Sequence, residues 1–501
     1  MPARLNILKM KTKKKHVVVL GGGLAGLSAG YELVKAGHRV TIVEKENAVG
    51  GLARTIEKNG FRFDTGPHRW YTKNDMVNNW MLKLLGKEVI KVPRLTRIYF
   101  DNIFFEYPIK VKSTLAGMGL ARTILAVVDY IVIWLIGKFH KTTPLSLEEG
   151  YIQKFGATLY KMFFKRYSEK LWGRPNTEIS ADWIGQRTRG FDIFTILKDL
   201  LFKQNKIVSF VDEFSYPENG IGRIAERLAE SIKQGGGKIL LKSEVAIVNN
   251  QKNRITSVII RNKSGSQKIS SDEFVSSIPL SDLVASLQPA ATAEIMSVNN
   301  KLNYRDELQV AVFVKKTKIT PDTWIYVHSL EIPFVRMMEM DNWSKKLSPK
   351  GTTTLVFEIA CNIGDQYWQM SDKELIILVT DSFIHEFKVL KQTDVLGGMV
   401  HRMPKEYPVY HIGYKEDLDV LKQFLSKYTN LQIVGRNGTF RYNNMDHSIE
   451  MGLYAAWNII ENERKFDIES VNIEREYLEE KQLNTKQFEL PEDQQVEDTQ
   501  Q

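Results

Sequence analysis

The sequence predicts an α/β fold: a domain built on a parallel sheet, discontinuous along the chain, with α+β segments inserted between its parts. Three observations predict it. A continuous β-branched run, "HVVVL" (residues 16–20), passes through a glycine-rich turn into a helical pattern and then a second β-rich run, "RVTIVE" (residues 39–44). From about residue 91 this alternation gives way to aromatic strands followed by helices. Strand-like runs of the first type return after residue 211 and again at "LQIV" (residues 431–434).

The first element carries the clearest chemistry. Gly21, Gly23 and Gly26 form G-x-G-x-x-G between a strand and a helix, which is the Rossmann-like βαβ context for a dinucleotide. Gly21 makes the tight turn, Gly23 admits a pyrophosphate, and Gly26 lets the helix lie close to the strand. Leu24 and Ala25 open that helix, whose free N–H groups and positive dipole face the phosphates. Glu44 falls 18 residues after Gly26, where a carboxylate accepts hydrogen bonds from ribose hydroxyls, and Lys45 follows it.

Bulk properties narrow the partners. A chain of 501 residues with 43% hydrophobic and 26% charged residues is an ordinary globular composition. Cys361 is the one cysteine, which excludes an intramolecular disulfide framework and a cysteine-based zinc site, and fits a reducing, cytoplasmic setting. No metal site is readable. The net charge of +10 owes part of its excess to "KMKTKKK", read as the end of a flexible basic arm over residues 1–15. It favours phosphates, nucleotides or an acidic membrane surface. Without arginine-rich tracts or zinc-finger spacings, nucleic acid is not expected. No secretory signal is visible. One apolar stretch, residues 123–137, "TILAVVDYIVIWLIG", has 15 residues interrupted by Asp129. A spanning helix needs ~20, so a buried or partly buried helix is expected, with peripheral membrane contact as the alternative.

Further motifs carry a family resemblance. "EKENAVGGLARTIEKNGFRFDTGPH" (residues 44–68) places Gly50-Gly51 just after the acidic residue. It resembles the extended fingerprint of the FAD-binding amine-oxidase and UDP-galactopyranose mutase superfamily. That resemblance implies FAD as the cofactor. Gly51, Leu52, Ala53 and Arg54 would line the passage from adenosine diphosphate to flavin, and Gly66, Pro67 and His68 would approach the flavin ring. "YSEKLWG" (residues 167–173) is similar to the Tyr-Thr-x-Lys-x-Trp-Gly segment of the mutases, and "ISADWIGQR" (residues 179–187) to mutase-like and protoporphyrinogen-oxidase-like flavoproteins. Tyr167, Trp172, Arg187 and Arg189 are therefore candidate substrate contacts. The strand at Val245 would touch the adenine. Arg305, from a Tyr-Arg pair, would reach a substrate diphosphate, and Tyr407 and Tyr410 would approach the sugar.

"VGRNGTFRYNNMDHSIEMG" (residues 434–452) is read as the return to the flavin. The resemblance puts Gly435 and Arg436 near flavin or phosphate. It gives Met445, Asp446 and His447 as backbone donors at a helix N-terminus, and Tyr442 as a substrate tyrosine. Asn444 stands where the prokaryotic mutases carry a carboxylate.

The resulting division is a basic arm (1–15), FAD-binding parts at 16–90, 211–285 and 426–465, cap or substrate parts at 91–210 and 286–425, and a polar tail (466–501). The expected activity is an FAD-dependent oxidoreductase of the amine-oxidase superfamily, with the redox chemistry carried by flavin N5 and NAD(P)H a candidate external reductant. The alternative is a mutase-like isomerase of a nucleotide sugar using reduced FAD, for cell-surface glycan synthesis. Accordingly the small-molecule substrate is a nucleotide sugar, an amine, or an apolar polycyclic or polyene compound.

Overall fold

The computed structural model describes residues 13–107, 119–139, 142–187 and 213–472. The first sheet is parallel throughout. Its five strands run in the order Leu431–Ile433, Glu273–Ser276, His16–Leu20, Arg39–Val43 and Lys238–Leu240. Neighbours in space thus come from opposite ends of the chain. Val17, Val18, Val19 and Leu20 are all fully buried, because helices cover one face and a four-stranded mixed sheet lies towards the other.

The first helix, Leu24–Lys35, packs on the last, Met445–Glu461, with Ser28 Oγ donating to Ile449 O at 3.2 Å. Helix Arg223–Gln234 is amphipathic, burying Ile224, Ala225, Leu228, Ala229 and Ile232 against the same core, and it stops at the run Gly235-Gly236-Gly237.

A seven-stranded sheet forms the second body. Its order is Val395–Pro408, Tyr304–Val314, Thr353–Cys361, Arg336–Glu339, Trp324–Val327, Thr96–Phe100 and Ile103–Glu106. The last two of these strands form a hairpin at Asp101-Asn102, with both residues at positive φ (48° and 62°) as a two-residue type I′ turn requires. The sheet's two faces differ. Leu308, Val310, Leu355, Phe357 and Ile359 pack on one side against Leu375, Val379 and Phe383 of helix Asp372–Phe387. The other side carries Ala311, Phe313, Val356 and Met338 into the core shared with the parallel-sheet domain, where Phe313 stacks on Phe61 with centroids 4.3 Å apart. In the middle of that second face the apolar residues give way to charged ones.

Two expectations change. Lys15 is not part of a flexible arm: its Nζ reaches Glu273 at 2.8 Å and Asn462 at 2.7 Å, because the strand beginning at His16 fixes it beside their carboxylate and amide oxygens. The apolar stretch at 123–137 lies in a longer helix, Leu120–Phe139, in which Ala126 is the one buried residue. It packs along helix Leu147–Leu159, but most of its apolar surface faces outward. The greater part of the basic arm and of the polar tail lies outside the described residues.

Candidate functional site

At the nucleotide end, the first helix opens at Gly23 with no side-chain cap and no acidic residue in its first turn. Its first N–H groups are therefore left for an anion. Leu24 and Ala25 are buried behind that turn. Gly26 has no room for a side chain: a Cβ there would sit 2.2 Å from Gly21 O and 3.0 Å from Val19 Cγ1. Glu44, at the end of the second strand, is buried and accepts from Gly22 N at 2.7 Å and Glu46 N at 2.8 Å. Gly51, at φ +58°, brings its backbone against Gly23, since a Cβ on it would lie 3.0 Å from Gly23 Cα. Leu52 and Ala53 continue that turn. Chain leaving the edge strand Lys238–Leu240 closes the same end: Ser243 N donates to Glu44 O at 2.9 Å, two residues before Val245. Lys45 is exposed. Gly435 lies close to the first helix, with a Cβ on it 3.0 Å from Ala25 Cβ.

The two bodies meet at Arg54 and at Gly66-Pro67-His68. Arg54 is buried, and its Nη2 lies 2.9 Å from His401 Nε2 on the cap sheet, with Glu46 3.9 Å from Nη1. Its Nε is buried without a partner. Burial, then the charge of Arg54, lowers His401 to about 4, so the imidazole is neutral and its ring can accept from the guanidinium. His68 Nδ1 is likewise buried without a partner. Burial, then Arg436 and Arg336, pushes His68 down to about 3. A Cβ on Gly66 would fall 3.5 Å from Glu358 Oε1, so this turn lies directly against the cap sheet.

That sheet face carries a row of polar side chains in cross-strand register. His401 pairs with Gln309, Gln309 with Glu358, Glu358 with Arg336, and Arg336 with Tyr326. Side chains opposite one another on a sheet face are close enough to bond, and Gln309 with Glu358 and Glu358 with Arg336 do. Gln309 Nε2 donates to Glu358 Oε1 at 3.3 Å and also to Glu307 Oε1, one step along its own strand. Arg336 Nε donates to Glu358 Oε2, and its Nη2 to the Tyr407 hydroxyl at 3.0 Å. Glu406 accepts from Arg436 Nη1 at 3.1 Å. Glu307, Glu358, Arg336 and Glu406 are all buried.

Burial, reinforced by the charge of Glu358, raises Glu307 well above the usual carboxylate range. Burial also raises Glu406 to about 7, against the opposing pull of Arg436. The cluster therefore holds a carboxylic proton at Glu307 and one near its midpoint at Glu406 at neutral pH. Glu307 Oε2, Gln309 Oε1 and Glu406 Oε2 remain as buried polar atoms without a hydrogen-bond partner.

Aromatic rings wall the cluster. Tyr407 and Tyr442 lie parallel at 5.8 Å, and the Arg436 guanidinium sits 5.6 Å and 4.8 Å from their ring centroids. Trp172 meets Tyr407 edge-on, and Trp183 meets Trp172 and Tyr442 edge-on. Tyr167 stacks on His328 at 4.7 Å and stands edge-on to Tyr326, at the far end of the polar row. Asn444 precedes the last helix, and its N–H donates to His447 Nδ1 at 3.3 Å. Met445 and Asp446 begin that helix; Asp446 is buried, with its Oδ1 3.8 Å from His447 Nδ1.

The structure thus gathers Tyr167, Trp172, Arg436, Tyr407, Tyr442 and His68 around one cluster. Two expected substrate contacts lie elsewhere. Arg305 is turned into the sheet's support, donating to Leu171 O at 2.9 Å and Ala360 O at 3.0 Å, because the strand's end faces those carbonyls. Tyr410 stacks flat on Tyr414 at 4.3 Å in the core, and its hydroxyl accepts from Tyr442 N at 2.7 Å. It positions the tyrosine segment from behind. Arg187 ends the helix Asp182–Arg187, but its side chain, like all of Arg189, lies outside the described residues.

Sequence reasoning missed Glu307, Gln309, Arg336, Glu358, His401 and Glu406. The signal was present: "FVRMM" and "LVFEIAC" each place one charged residue inside an otherwise apolar strand, where it must find a partner.

Comparisons with known proteins agree with this architecture. Residues 19–84 match the model of an NAD(P)-binding Rossmann-like domain. L-amino acid oxidase Cdc18 of Crotalus durissus cumanensis is 44% identical over 78 residues, 16% of each chain. Phytoene dehydrogenase of Streptomyces griseus is 52% identical over 61 residues, 12% of each. The chain thus spans less than a fifth of the curated relatives it matches. A crystal structure of reduced UDP-galactopyranose mutase superposes over 90% of this chain and 96% of its own, with a TM-score of 0.76 and 20% identity. The resemblance expected from the motifs therefore holds as a shared fold over most of the chain.

Proposed function

We propose that the protein is an FAD-dependent oxidoreductase acting on a small molecule held between the nucleotide domain and the charged face of the cap sheet. One observation carries this reading: the uncapped helix and glycine turn of a dinucleotide site run, through Gly51 and Gly66, to a buried carboxyl–guanidinium cluster. A plain structural core needs neither. The residues fit FAD on two counts. The first helix leaves its N-terminal donors open beside Gly21 and Gly23, and Arg54 Nε and His68 Nδ1 are buried polar atoms still wanting partners.

Bound FAD supplies a two-electron acceptor or donor at its N5. The protein's own groups orient and tune. Glu44 would accept from the ribose hydroxyls, and the open N-terminus of the first helix would hold the diphosphate. His68 stays neutral, so it donates or accepts a hydrogen bond without adding charge. Arg336, fixed on two sides by Glu358 and Tyr407, presents a cation of set direction. Glu406 exchanges a proton near neutral pH.

A second reading is an isomerase of a nucleotide sugar working on reduced FAD, with NAD(P)H as external reductant. The grouping of Arg336, Arg436, Tyr407 and Tyr442 favours it, since cations and aromatic faces suit a diphosphate attached to a flat base. For either reading we place the protein in the cytoplasm.

The test is the absorbance spectrum of the purified protein, followed by anaerobic titration. Flavin bands bleached by an amine or an apolar polyene support the oxidoreductase. Sugar interconversion seen only after prior reduction supports the isomerase instead. No flavin, even after reconstitution with FAD, overturns both.

A further inference from the structure

Helix Leu120–Phe139 inverts the arrangement of an ordinary surface helix. Such a helix hides an apolar stripe and shows a polar face. Here the stripe turned to the protein, through Thr123, Ala126, Val127, Tyr130 and Ile133, is the less exposed one, and the outward side is apolar as well. Ten large apolar side chains between Leu120 and Phe139 are 40% exposed or more, among them Leu125 at 60% and Phe139 at 80%. A contiguous apolar face of this kind marks a binding surface.

The helix's charges are arranged around that face. Asp129, its one acidic residue, is folded inward, its carboxylate accepting from Thr158 N at 2.7 Å and Thr158 Oγ1 at 2.6 Å. Gly156, at φ +82°, breaks the neighbouring helix to allow that approach. The two cations, Arg122 and Lys138, stand near opposite ends and are exposed. Lys138 Nζ lies 3.8 Å from the Trp134 ring centroid. Cations at both ends, an indole beside one of them, and no outward-facing acid suit acyl chains bordered by anionic headgroups. The helix is long and apolar enough to cross a bilayer. It is, however, attached along helix Leu147–Leu159, which carries Glu148, Glu149 and Lys154 and would have to enter the bilayer with it.

We propose that helix Leu120–Phe139 seats the protein on an anionic phospholipid bilayer, lying in the interface with its outward face among the acyl chains. This rests on no assignment of the catalytic site.

The experiment is flotation of the full-length protein with vesicles of phosphatidylcholine alone and of phosphatidylcholine with phosphatidylglycerol. The wild-type protein is expected to float with the mixed vesicles and to be released in part by salt. Arg122→Ala and Lys138→Ala should each weaken that partitioning about fivefold. The double variant Ile131→Glu, Leu135→Glu, on the outward face, should abolish it while the circular-dichroism melt is unchanged. Failure of the wild-type protein to float with either vesicle overturns the proposal, and needs no variant. So does a wild-type dimer that the double variant turns into a monomer without any vesicle binding, which would make the face a contact between copies. Resistance to alkaline carbonate with a protease-protected fragment would show a span instead, and would also overturn it.

Discussion

The two ends of the candidate site are built by different means. The nucleotide end is backbone: Gly21, Gly23, Gly26 and Gly51 bring peptide groups close together, and the Glu44 and Ser277 side chains hold the turn from the strand side. The cap end is side chain: Glu307, Gln309, Arg336 and Glu358 come from three strands of one sheet face, with His401, Tyr407 and Glu406 added from a fourth. A backbone site tolerates almost no added atoms but is indifferent to charge. A side-chain site can lose atoms and survive, but it cannot lose one charge of a pair.

The sharpest break of this contrast is Gly26→Val. Its side chain has nowhere to go beside Gly21 O, so we expect a loss of more than about 4 kcal/mol and no soluble flavoprotein. Urea unfolding of whatever protein can be recovered measures it. Next is Glu358→Leu, which strands the Arg336 guanidinium in the core and should cost ~3–5 kcal/mol. The double variant Glu358→Leu, Arg336→Met should be milder than that single change, because no lone charge remains. If the double variant is the worse of the two, the cluster is held by packing rather than by charge.

A smaller effect, about 3 kcal/mol, is expected for Arg305→Ala, which leaves the carbonyls of Leu171 and Ala360 without donors. Thermal unfolding should show it, while the Michaelis constant of the folded enzyme stays put. A large rise in that constant would return Arg305 to the substrate.

The pH dependence separates the cluster's groups. Glu406, raised to about 7, keeps a proton in the folded state that the unfolded chain gives up from about 4.5. Its contribution is full at acid pH and is lost as pH rises towards 7. His328 is pushed by burial to about 3, so between there and 6.5 the unfolded chain binds the proton instead, and stability falls as pH falls. Melting temperatures from pH 4 to 8 should therefore lose part of their alkaline slope in Glu406→Gln and part of their acid slope in His328→Gln. The smallest effect belongs to exposed Lys45→Ala, within about 0.5 kcal/mol of wild type by the same melt.

The contrast also explains what was legible. A backbone site leaves a local record, because G-x-G-x-x-G must sit between one strand and one helix. Gly26 lies between that strand and that helix, and Glu44 follows the next strand. The cap cluster leaves only lone charges inside apolar strands, which say that a partner is needed and not which one, because its register is set by pairing among strands up to about a hundred residues apart. Arg305 shows the same limit from the other side. A Tyr-Arg pair at a strand start suggests an exposed cation, but which way the strand's end faces depends on the partners it meets. Helix Leu120–Phe139 was legible as an apolar segment, not as an exposed one, since hydrophobicity names what a surface avoids and not what covers it.

The order of the parallel sheet bears on how the protein is made. The strand His16–Leu20 lies between Arg39–Val43, which follows it within a few turns of chain, and Glu273–Ser276, which is separated from it by residues 21–272 and is synthesised only after them. The edge strand Leu431–Ile433 comes later still. At ~5–20 residues per second, roughly 20–80 s separate the first of these strands from the last. Through that interval an apolar strand edge waits on the ribosome without its neighbour, so helper proteins that shield nascent chains have most to do before residue 433 emerges.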